Sequence, residues 1–174
     1  MSESVDIKTA IREIRDFPKP GILFRDITTV LRDPASLRAS IDAIVGELRG
    51  MDFDVVAGPE SRGFIFSMPV AYALHKGFVP ARKKGKLPAK TVSRGYQLEY
   101  GEEYIEMHAD AFEPGSRVVV VDDLLATGGT CKALFGLIES MGGVVAGAVF
   151  LIELTELGGR DKLAGYDTRS IVRY

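Results

Sequence analysis

The feature that most constrains the fold is a pair of continuous apolar runs, Val118–Val121 and Val144–Leu151, with a helical pattern between them. In that pattern apolar residues recur at the spacing of one helix face, and it ends at Gly142-Gly143. A strand that is apolar at every position has both faces buried, which is typical of parallel sheets covered by helices. The order strand, helix, strand therefore predicts an α/β fold with a central, mainly parallel sheet flanked by helices.

The first half of the chain extends the same pattern. Asp33-Pro34 is typical of a helix start, and the apolar residues that follow lie on one helix face as far as Leu48. Val55–Ala57 predicts a short strand, Phe64–His75 a helix that contains a proline, and Phe78–Ala81 a further strand. These elements add to the predicted sheet and its helices.

The N-terminal segment is less regular. Ile7, Ile11 and Ile14 lie at helical spacing behind Ser4, a candidate cap, and predict a helix that ends before a turn-rich, proline-containing loop. We expect the segment up to about residue 30 to form a small hood attached to the main sheet.

The length predicts one domain over residues 1–174. Residues 91–107 mix glycine, charge and tyrosine without a clear period, which predicts a hairpin or a mobile loop.

Composition excludes several classes of protein. With 46% hydrophobic and 26% charged residues and a net charge of -2, the chain lacks the basic footprint of a nucleic-acid-binding protein. Its single cysteine, Cys131, excludes an intramolecular disulfide and a thiolate metal cluster. The start lacks the pattern of a signal peptide, and no run of about 18 apolar residues occurs. We therefore expect a cytoplasmic protein with no nucleic-acid and no membrane partner.

The most informative stretch is Val118–Thr130, where a buried strand is followed by Asp122 and Asp123 and then by a glycine-rich loop. Backbone N–H groups and threonine hydroxyls at a helix start form a cradle for an anion such as phosphate. The two acids cannot bind phosphate, but they can accept hydrogen bonds from sugar hydroxyls or hold Mg²⁺. A phosphorylated sugar would satisfy both halves; the alternative is an ordinary turn beside solvated acids.

Two other segments suit a second anion. The loop Gly58–Gly63 also joins a strand to a helix start and offers backbone amides and the Arg62 side chain, although it could be a plain turn. The cluster Arg82, Lys83, Lys84 and Lys86 follows the next strand and could equally be a solvated strand end.

The stretch Val118–Thr130 resembles the donor motif of the type I phosphoribosyltransferases at all of its positions. That resemblance implies that Asp122 and Asp123 hold the ribose 2′ and 3′ hydroxyls of phosphoribosyl pyrophosphate. The residues implied to wrap its 5′-phosphate are Ala126, Thr127, Gly128, Gly129 and Thr130.

The resemblance also implies a pyrophosphate site. In the family this loop carries a cis peptide bond, here between Glu60 and Ser61, and Arg62 belongs to the same site. The basic cluster is similar to that of the adenine-specific members. Arg82 would there reach the pyrophosphate, across a homodimer interface in one arrangement, with Lys86 nearby.

Two segments resemble the acceptor site of the adenine-specific members. Leu98–Gly101 matches their loop, and Glu99 would act there as an acid or base; without that match it would be an exposed loop glutamate. The proline-rich segment Phe17–Ile27 is similar to their adenine-binding hood, the alternative being a hydrophobic staple of the N-terminal helix. The residues implied to contact the base are Phe24 by stacking, Leu23 and Arg25 by their backbones, and Leu154 on the other face.

Taken together, the resemblance implies an enzyme that joins adenine to the phosphoribosyl group of phosphoribosyl pyrophosphate, giving AMP and pyrophosphate. Mg²⁺, held mainly by substrate, and a homodimer are implied with it. Two rival functions remain at this point. One is transfer to another acceptor, such as hypoxanthine, guanine, xanthine or orotate. The other is a regulator that senses the donor without catalysis, which would need the basic face or added domain that this chain lacks.

Overall fold

The computed structural model describes residues 5–98 and 101–174. The chain divides into two compact units, 1–43 and 44–174. No helix in the described part of the chain is both long and apolar enough to cross a membrane.

The first unit contains a two-stranded antiparallel sheet and short helices. Its elements are α1 (Ile7–Ala10), β1 (Arg12–Arg15), β2 (Leu23–Asp26) and α2 (Thr28–Arg32). The Asp26 carboxylate, 7% exposed, accepts a hydrogen bond from the Thr28 N–H at 2.9 Å and pairs with Arg12. This contact ties the end of the small sheet to the start of α2.

The N-terminal helix is shorter than the sequence predicts. It ends at Ala10 and is capped by Asp6, whose carboxylate accepts the Lys8 N–H at 2.9 Å. Ile14 lies instead in β1, opposite Phe24 of β2. The prediction of a helix through Ile14 was therefore wrong, because pairing with β2 satisfies the backbone there and β-branched residues fit a strand well.

The second unit is built on a seven-stranded sheet in the order β5-β6-β4-β3-β7-β8-β9. Strands β4, β3, β7, β8 and β9 run parallel to one another, and β6 is antiparallel to both of its neighbours, β4 and β5. The bounds are β3 (Val55–Pro59), β4 (Gly77–Lys83), β5 (Thr91–Leu98), β6 (Gly101–His108), β7 (Arg117–Leu125), β8 (Val144–Glu153) and β9 (Thr168–Arg173).

Helices precede or connect the parallel strands. The longer ones are α3 (Pro34–Leu48), α4 (Arg62–Ala73) and α5 (Gly129–Ser140), and a short α6 (Gly159–Lys162) follows a 3₁₀ turn (Thr155–Leu157). The helix predicted from Asp33-Pro34 is confirmed, and the Asp33 carboxylate accepts the Ser36 N–H at 2.8 Å.

The connections reverse direction at the centre of the sheet. From β3 the chain passes through α4 to β4 on one side, and from β7 it passes through α5 to β8 on the other. Because such crossovers are right-handed, the two helices cover opposite faces of the sheet. The carboxyl ends of β3 and β7 therefore flank a crevice, which is where open α/β sheets bind ligands.

Three parts of the sheet go beyond the sequence analysis. Strand β7 continues to Leu125 because β8 pairs with it that far, so the two acids lie within the strand and not after it. Of the two predictions for residues 91–107, a hairpin or a mobile loop, the structure shows the hairpin: β5 and β6 pair in antiparallel fashion, with Thr91 opposite His108. Strand β9, at the edge, was not anticipated because only two of its residues, Ile171 and Val172, are aliphatic.

Helix α5 supplies much of the core beside this sheet. Four apolar residues on its buried side have 0% exposure: Leu134, Phe135, Leu137 and Ile138. They belong to one cluster with Val118 and Val120 of β7. Helix α5, whose first residues flank the crevice, is therefore anchored in the core by its second half.

Replacing Leu137 by alanine should lower the free energy of unfolding by about 2–5 kcal/mol, because the side chain is fully buried and its loss leaves a cavity. Chemical denaturation would measure this. Leu157→Ala is a matched control, since that leucine is 45% exposed. Equal losses in the two variants would contradict the assigned core.

Candidate active site

A cavity of about 300 Å³ lies at the carboxyl ends of β3 and β7. It is lined by Pro59, Glu60, Ser61 and Arg62 from one loop, by residues 122–131 from the next, and by Phe150. The structure thus brings together the two segments that the sequence analysis treated separately. Some sixty residues apart in the chain, they become neighbours because β3 and β7 pair in parallel.

Asp122 and Asp123 stand at one wall of this cavity. Asp123 is 4% exposed, and its N–H donates to the Asp122 carboxylate at 2.8 Å. Across the cavity, the Nε of Arg62 lies 2.9 Å from Oδ2 of Asp123. Arg62 therefore supplies the counter-charge for an acid that would otherwise be buried alone.

The electrostatics of this pair are unusual. Burial raises the pKa of Asp122 well above its ordinary value, and the negative charge of Asp123 raises it further. Burial also raises the pKa of Asp123, although Arg62 opposes that shift. The pair can accept hydrogen bonds from hydroxyl groups, and it gains from any ligand that brings donors or positive charge.

The glycine-rich loop forms a second wall. Gly128 caps α5 in the left-handed region, at φ 76°, and its carbonyl accepts the Lys132 N–H at 2.9 Å. The first N–H groups of α5 are thereby presented at the cavity, where a helix N-terminus favours an anion.

Close backbone packing shapes this loop. A Cβ atom on Gly128 would lie 2.5 Å from the Gly159 carbonyl oxygen, and one on Gly159 would lie 2.2 Å from that of Ala126. A Cβ on Gly63 would likewise lie 2.8 Å from Oδ1 of Asp122. Gly63 belongs to the loop that the sequence indicated as an anion site, whereas Gly159 was not anticipated, because a glycine far away in the chain gives no local signal of such close approach.

The loop after β3 contains the expected cis peptide bond between Glu60 and Ser61. The Glu60 carboxylate turns towards β4, where it accepts the Lys83 N–H at 2.7 Å and pairs with Arg82 at 2.8 Å. Although burial acts the other way, these hydrogen bonds hold the pKa of Glu60 below its usual value. Glu60 is therefore an ionised partner of Arg82.

Arg82 lies in a neighbouring cavity of about 240 Å³, which shares Glu60 and Thr130 with the first. Lys86 is on the exposed turn after β4, and its carbonyl accepts a hydrogen bond from Nη1 of Arg82 at 3.1 Å. In the described part of the chain Lys86 lines neither cavity. The structure thus brings Arg82 beside the predicted pyrophosphate loop but leaves Lys86 at the rim.

Comparison with known proteins agrees with this geometry. The family model for the phosphoribosyl transferase domain matches residues 26–171. An adenine phosphoribosyltransferase of Lachnoclostridium phytofermentans is 57% identical over 94% of this chain and 94% of its own length. The chain belongs to the phosphoribosyltransferase family.

Solved structures of phosphoribosyltransferases share this fold. That of the adenine phosphoribosyltransferase from Thermoanaerobacter pseudethanolicus has a TM-score of 0.94 at 55% identity, covering 97% of this chain and 98% of that one. APRTase from Giardia lamblia, complexed with 9-deazaadenine, has a TM-score of 0.91 at 34% identity, covering 100% and 99%. The predicted α/β fold of the type I phosphoribosyltransferases is therefore confirmed.

The acceptor-side predictions for this phosphoribosyltransferase fall on three places. Glu99 lies outside the described residues, between β5 and β6. In the first unit, Leu23, Phe24 and Arg25 lie in β2, and the Phe24 ring meets that of Phe17 edge-on at 5.1 Å.

In the second unit, Leu154 follows β8 directly. Its N–H donates to the Leu125 carbonyl at 2.9 Å, which ties it to the end of the strand that carries Asp122 and Asp123. Its backbone position is therefore set by the end of β7.

Asp122→Asn should raise the free energy of unfolding at pH 7.5. Since the folded-state pKa of this carboxyl lies above the unfolded value of 3.8, its ionisation costs stability as pH rises through the folded value. The gain should shrink at pH 4.5, where the wild-type acid is more protonated. Chemical denaturation at both pH values checks this, with Asp110→Asn at an exposed site as control. A gain that does not vary with pH would contradict the assignment.

Proposed function

We propose that this phosphoribosyltransferase transfers the 5-phosphoribosyl group from phosphoribosyl pyrophosphate to adenine, giving AMP and pyrophosphate. The observation that carries the proposal is the single cavity that joins the acid pair, the glycine-rich anion loop and the Arg62 loop. Adenine as acceptor is supported by relatives that are named adenine phosphoribosyltransferases and by one bound to 9-deazaadenine. The reaction belongs to purine salvage.

The donor is held on the α5 side of the cavity. The 5′-phosphate lies in the loop 126–130, where backbone N–H groups at the start of α5 and the hydroxyls of Thr127 and Thr130 donate to its oxygens. Asp122 and Asp123 accept hydrogen bonds from the ribose 2′ and 3′ hydroxyls. Arg62, 2.9 Å from Asp123, supports this by favouring the ionised, accepting form of that acid.

The pyrophosphate lies beside the loop after β3. Ser61 and Arg62 approach it from that loop, and Arg82 approaches from the end of β4, with Lys86 at the rim. Glu60 contributes through its backbone and through its carboxylate, which holds Arg82 at 2.8 Å. Positive charge gathered here stabilises the leaving group as the bond to C1′ breaks.

The acceptor side follows the family resemblance. Phe24 stacks on adenine, the backbones of Leu23 and Arg25 read its polar edge, and Leu154 contacts its other face. Glu99 exchanges a proton with the ring nitrogens while the loop around it excludes water. We propose that this loop, within residues 91–107, is mobile.

The reaction is a substitution at C1′ that passes through an oxocarbenium-like state with inversion and without a covalent enzyme intermediate. The protein contributes chiefly by holding the two substrates in line and by surrounding the developing charges with fixed dipoles. The acid pair lies where positive charge builds on the ribose, and the arginines lie where negative charge builds on pyrophosphate.

Mg²⁺ fits this site as a partner of the substrate. No group of three His, Cys, Asp or Glu side chains within residues 5–98 and 101–174 could form a metal cage of its own. Mg²⁺ commonly takes one or two carboxylates and completes its shell with substrate oxygens and water, and Asp122 and Asp123 can supply that share. The ion would neutralise pyrophosphate charge.

We further propose a single-domain enzyme that works as a cytoplasmic homodimer. The dimer is supported by apolar side chains on α4, since Met68 is 54% and Tyr72 83% exposed beside an apolar cavity that Phe78 also lines. A reducing compartment fits the one cysteine, Cys131, which is buried and unpaired. Light scattering would measure the oligomeric state.

A base-specificity assay tests the function. With Mg²⁺ and phosphoribosyl pyrophosphate, and with adenine, hypoxanthine, guanine, xanthine and orotate at equal concentrations, we expect AMP as the product. Formation of another nucleotide would overturn the acceptor and keep the donor site. No product despite donor binding, measured by calorimetry, would favour a sensor.

Glu99→Ala should lower kcat strongly, by roughly 10²-fold or more as expected for a general acid or base, and leave the affinity for phosphoribosyl pyrophosphate nearly unchanged. Steady-state kinetics and calorimetry give the two readouts. Glu113→Ala serves as a control on an exposed turn. An unchanged kcat would remove Glu99 from the mechanism.

A further inference from the structure

Glu106 is a buried acid that the mechanism above does not use. It lies in β6 and is 3% exposed. A buried carboxylate is costly unless its oxygens are satisfied by hydrogen bonds or counter-charges. Its partners therefore indicate what it does.

Those partners are the backbone of the basic turn after β4. One carboxylate oxygen of Glu106 accepts the N–H groups of Gly85, Lys86 and Leu87 at 3.0, 3.2 and 3.3 Å, and the other lies 3.4 Å from the Thr91 hydroxyl. Consecutive N–H groups that converge in this way form a nest for an anion. Here the protein fills the nest with its own carboxylate, which holds the turn in one conformation.

The turn that Glu106 holds contacts the side chain of Arg82. The Lys86 carbonyl accepts Nη1 of Arg82 at 3.1 Å, while Glu60 takes Nε and Nη2 at 2.8 Å each. Arg82 and Glu106 are also register partners between β4 and β6. The Arg82 guanidinium is thus held by Glu60 on one side and by the Lys86 carbonyl on the other. The second contact depends on the turn that Glu106 organises.

We propose that Glu106 is a positioning residue for the pyrophosphate end of the donor, acting through the basic turn on Arg82. The proposal rests on the function proposed above for the role it gives Arg82. The two glutamates differ in how they affect pyrophosphate. Glu60 contacts the Arg82 guanidinium directly and so competes with pyrophosphate for it. Within the turn, Glu106 binds only backbone N–H groups and leaves the lysine side chains of the turn exposed.

A double-mutant cycle tests the proposal. Glu106→Gln keeps the shape of the side chain but removes its negative charge, so the one remaining accepting oxygen binds the three N–H groups of the nest more weakly. Pyrophosphate affinity, measured by calorimetry with Mg²⁺, should fall roughly five- to twentyfold in Glu106→Gln, because the hydrogen bonds that hold the turn lose their charge assistance. In the background of Arg82→Ala the same change should have little further effect, because the two residues act as a unit.

Kinetics provide a second readout that a merely structural role would not move. In Glu106→Gln the KM for phosphoribosyl pyrophosphate should rise while kcat and the KM for adenine stay within about twofold. Unchanged pyrophosphate affinity, or losses from the two substitutions that simply add, would overturn the proposal.

A variant outside the buried region guards against misfolding. Gly85 has φ +82° and no atom within 4 Å of an added Cβ, so Gly85→Ala strains the turn without a clash. Gly115→Ala is the matched control, with φ +88° and equally open surroundings on another turn. Gly85→Ala should weaken pyrophosphate binding and Gly115→Ala should not. Equal effects of the two would overturn the proposal.

Failure of the proposed function would look different. A wild-type enzyme that makes a nucleotide other than AMP would overturn the acceptor assignment, while the pyrophosphate titrations would still decide the role of Glu106. A wild-type enzyme that binds no pyrophosphate would overturn both.

Discussion

The structure depends on the parallel pairing of β3 with β7, two strands that are distant in the chain and adjacent in the sheet. Their connections leave in opposite directions, so the loops that follow them face each other across an open crevice. One loop brings Arg62 and the other brings Asp122 and Asp123. Without this pairing the acids would lack their counter-charge, and the glycine-rich loop would have no opposite wall.

The site contains features that cost folding free energy. Two adjacent carboxyl groups, Asp123 buried and Asp122 partly buried, share one arginine, and desolvation raises the pKa of both. Backbone segments at Gly128 and Gly159 approach so closely that neither position has room for a side chain. After β4 the acids Glu60 and Glu106 hold a cationic segment in place: Glu60 binds the Arg82 guanidinium, and Glu106 binds the backbone of the turn.

Sequence reasoning was most successful where local pattern and tertiary environment agree. The buried strands β7 and β8 and the helices α3 and α5 follow from continuous apolar runs and from helical spacing. It failed at Ile14, where a helical spacing of isoleucines was overridden by pairing with β2. It also missed β9, in which only Ile171 and Val172 are aliphatic, so that the strand carries a weak signal. The roles of Glu106 and Gly159 had no local signal, since both act on segments far away in sequence.

The sequence by itself determined the α/β class, the identity of the donor-site residues as candidates, and the resemblance to phosphoribosyltransferases, because these are written in contiguous residues. Only the tertiary structure decided that Glu60 pairs with Arg82, that Arg62 pairs with Asp123, and that the loop 126–130 rests on Gly159. These contacts join segments from different strands, and their formation depends on strand order and register. A linear pattern contains neither, because strand order and register are set by the packing of the whole core.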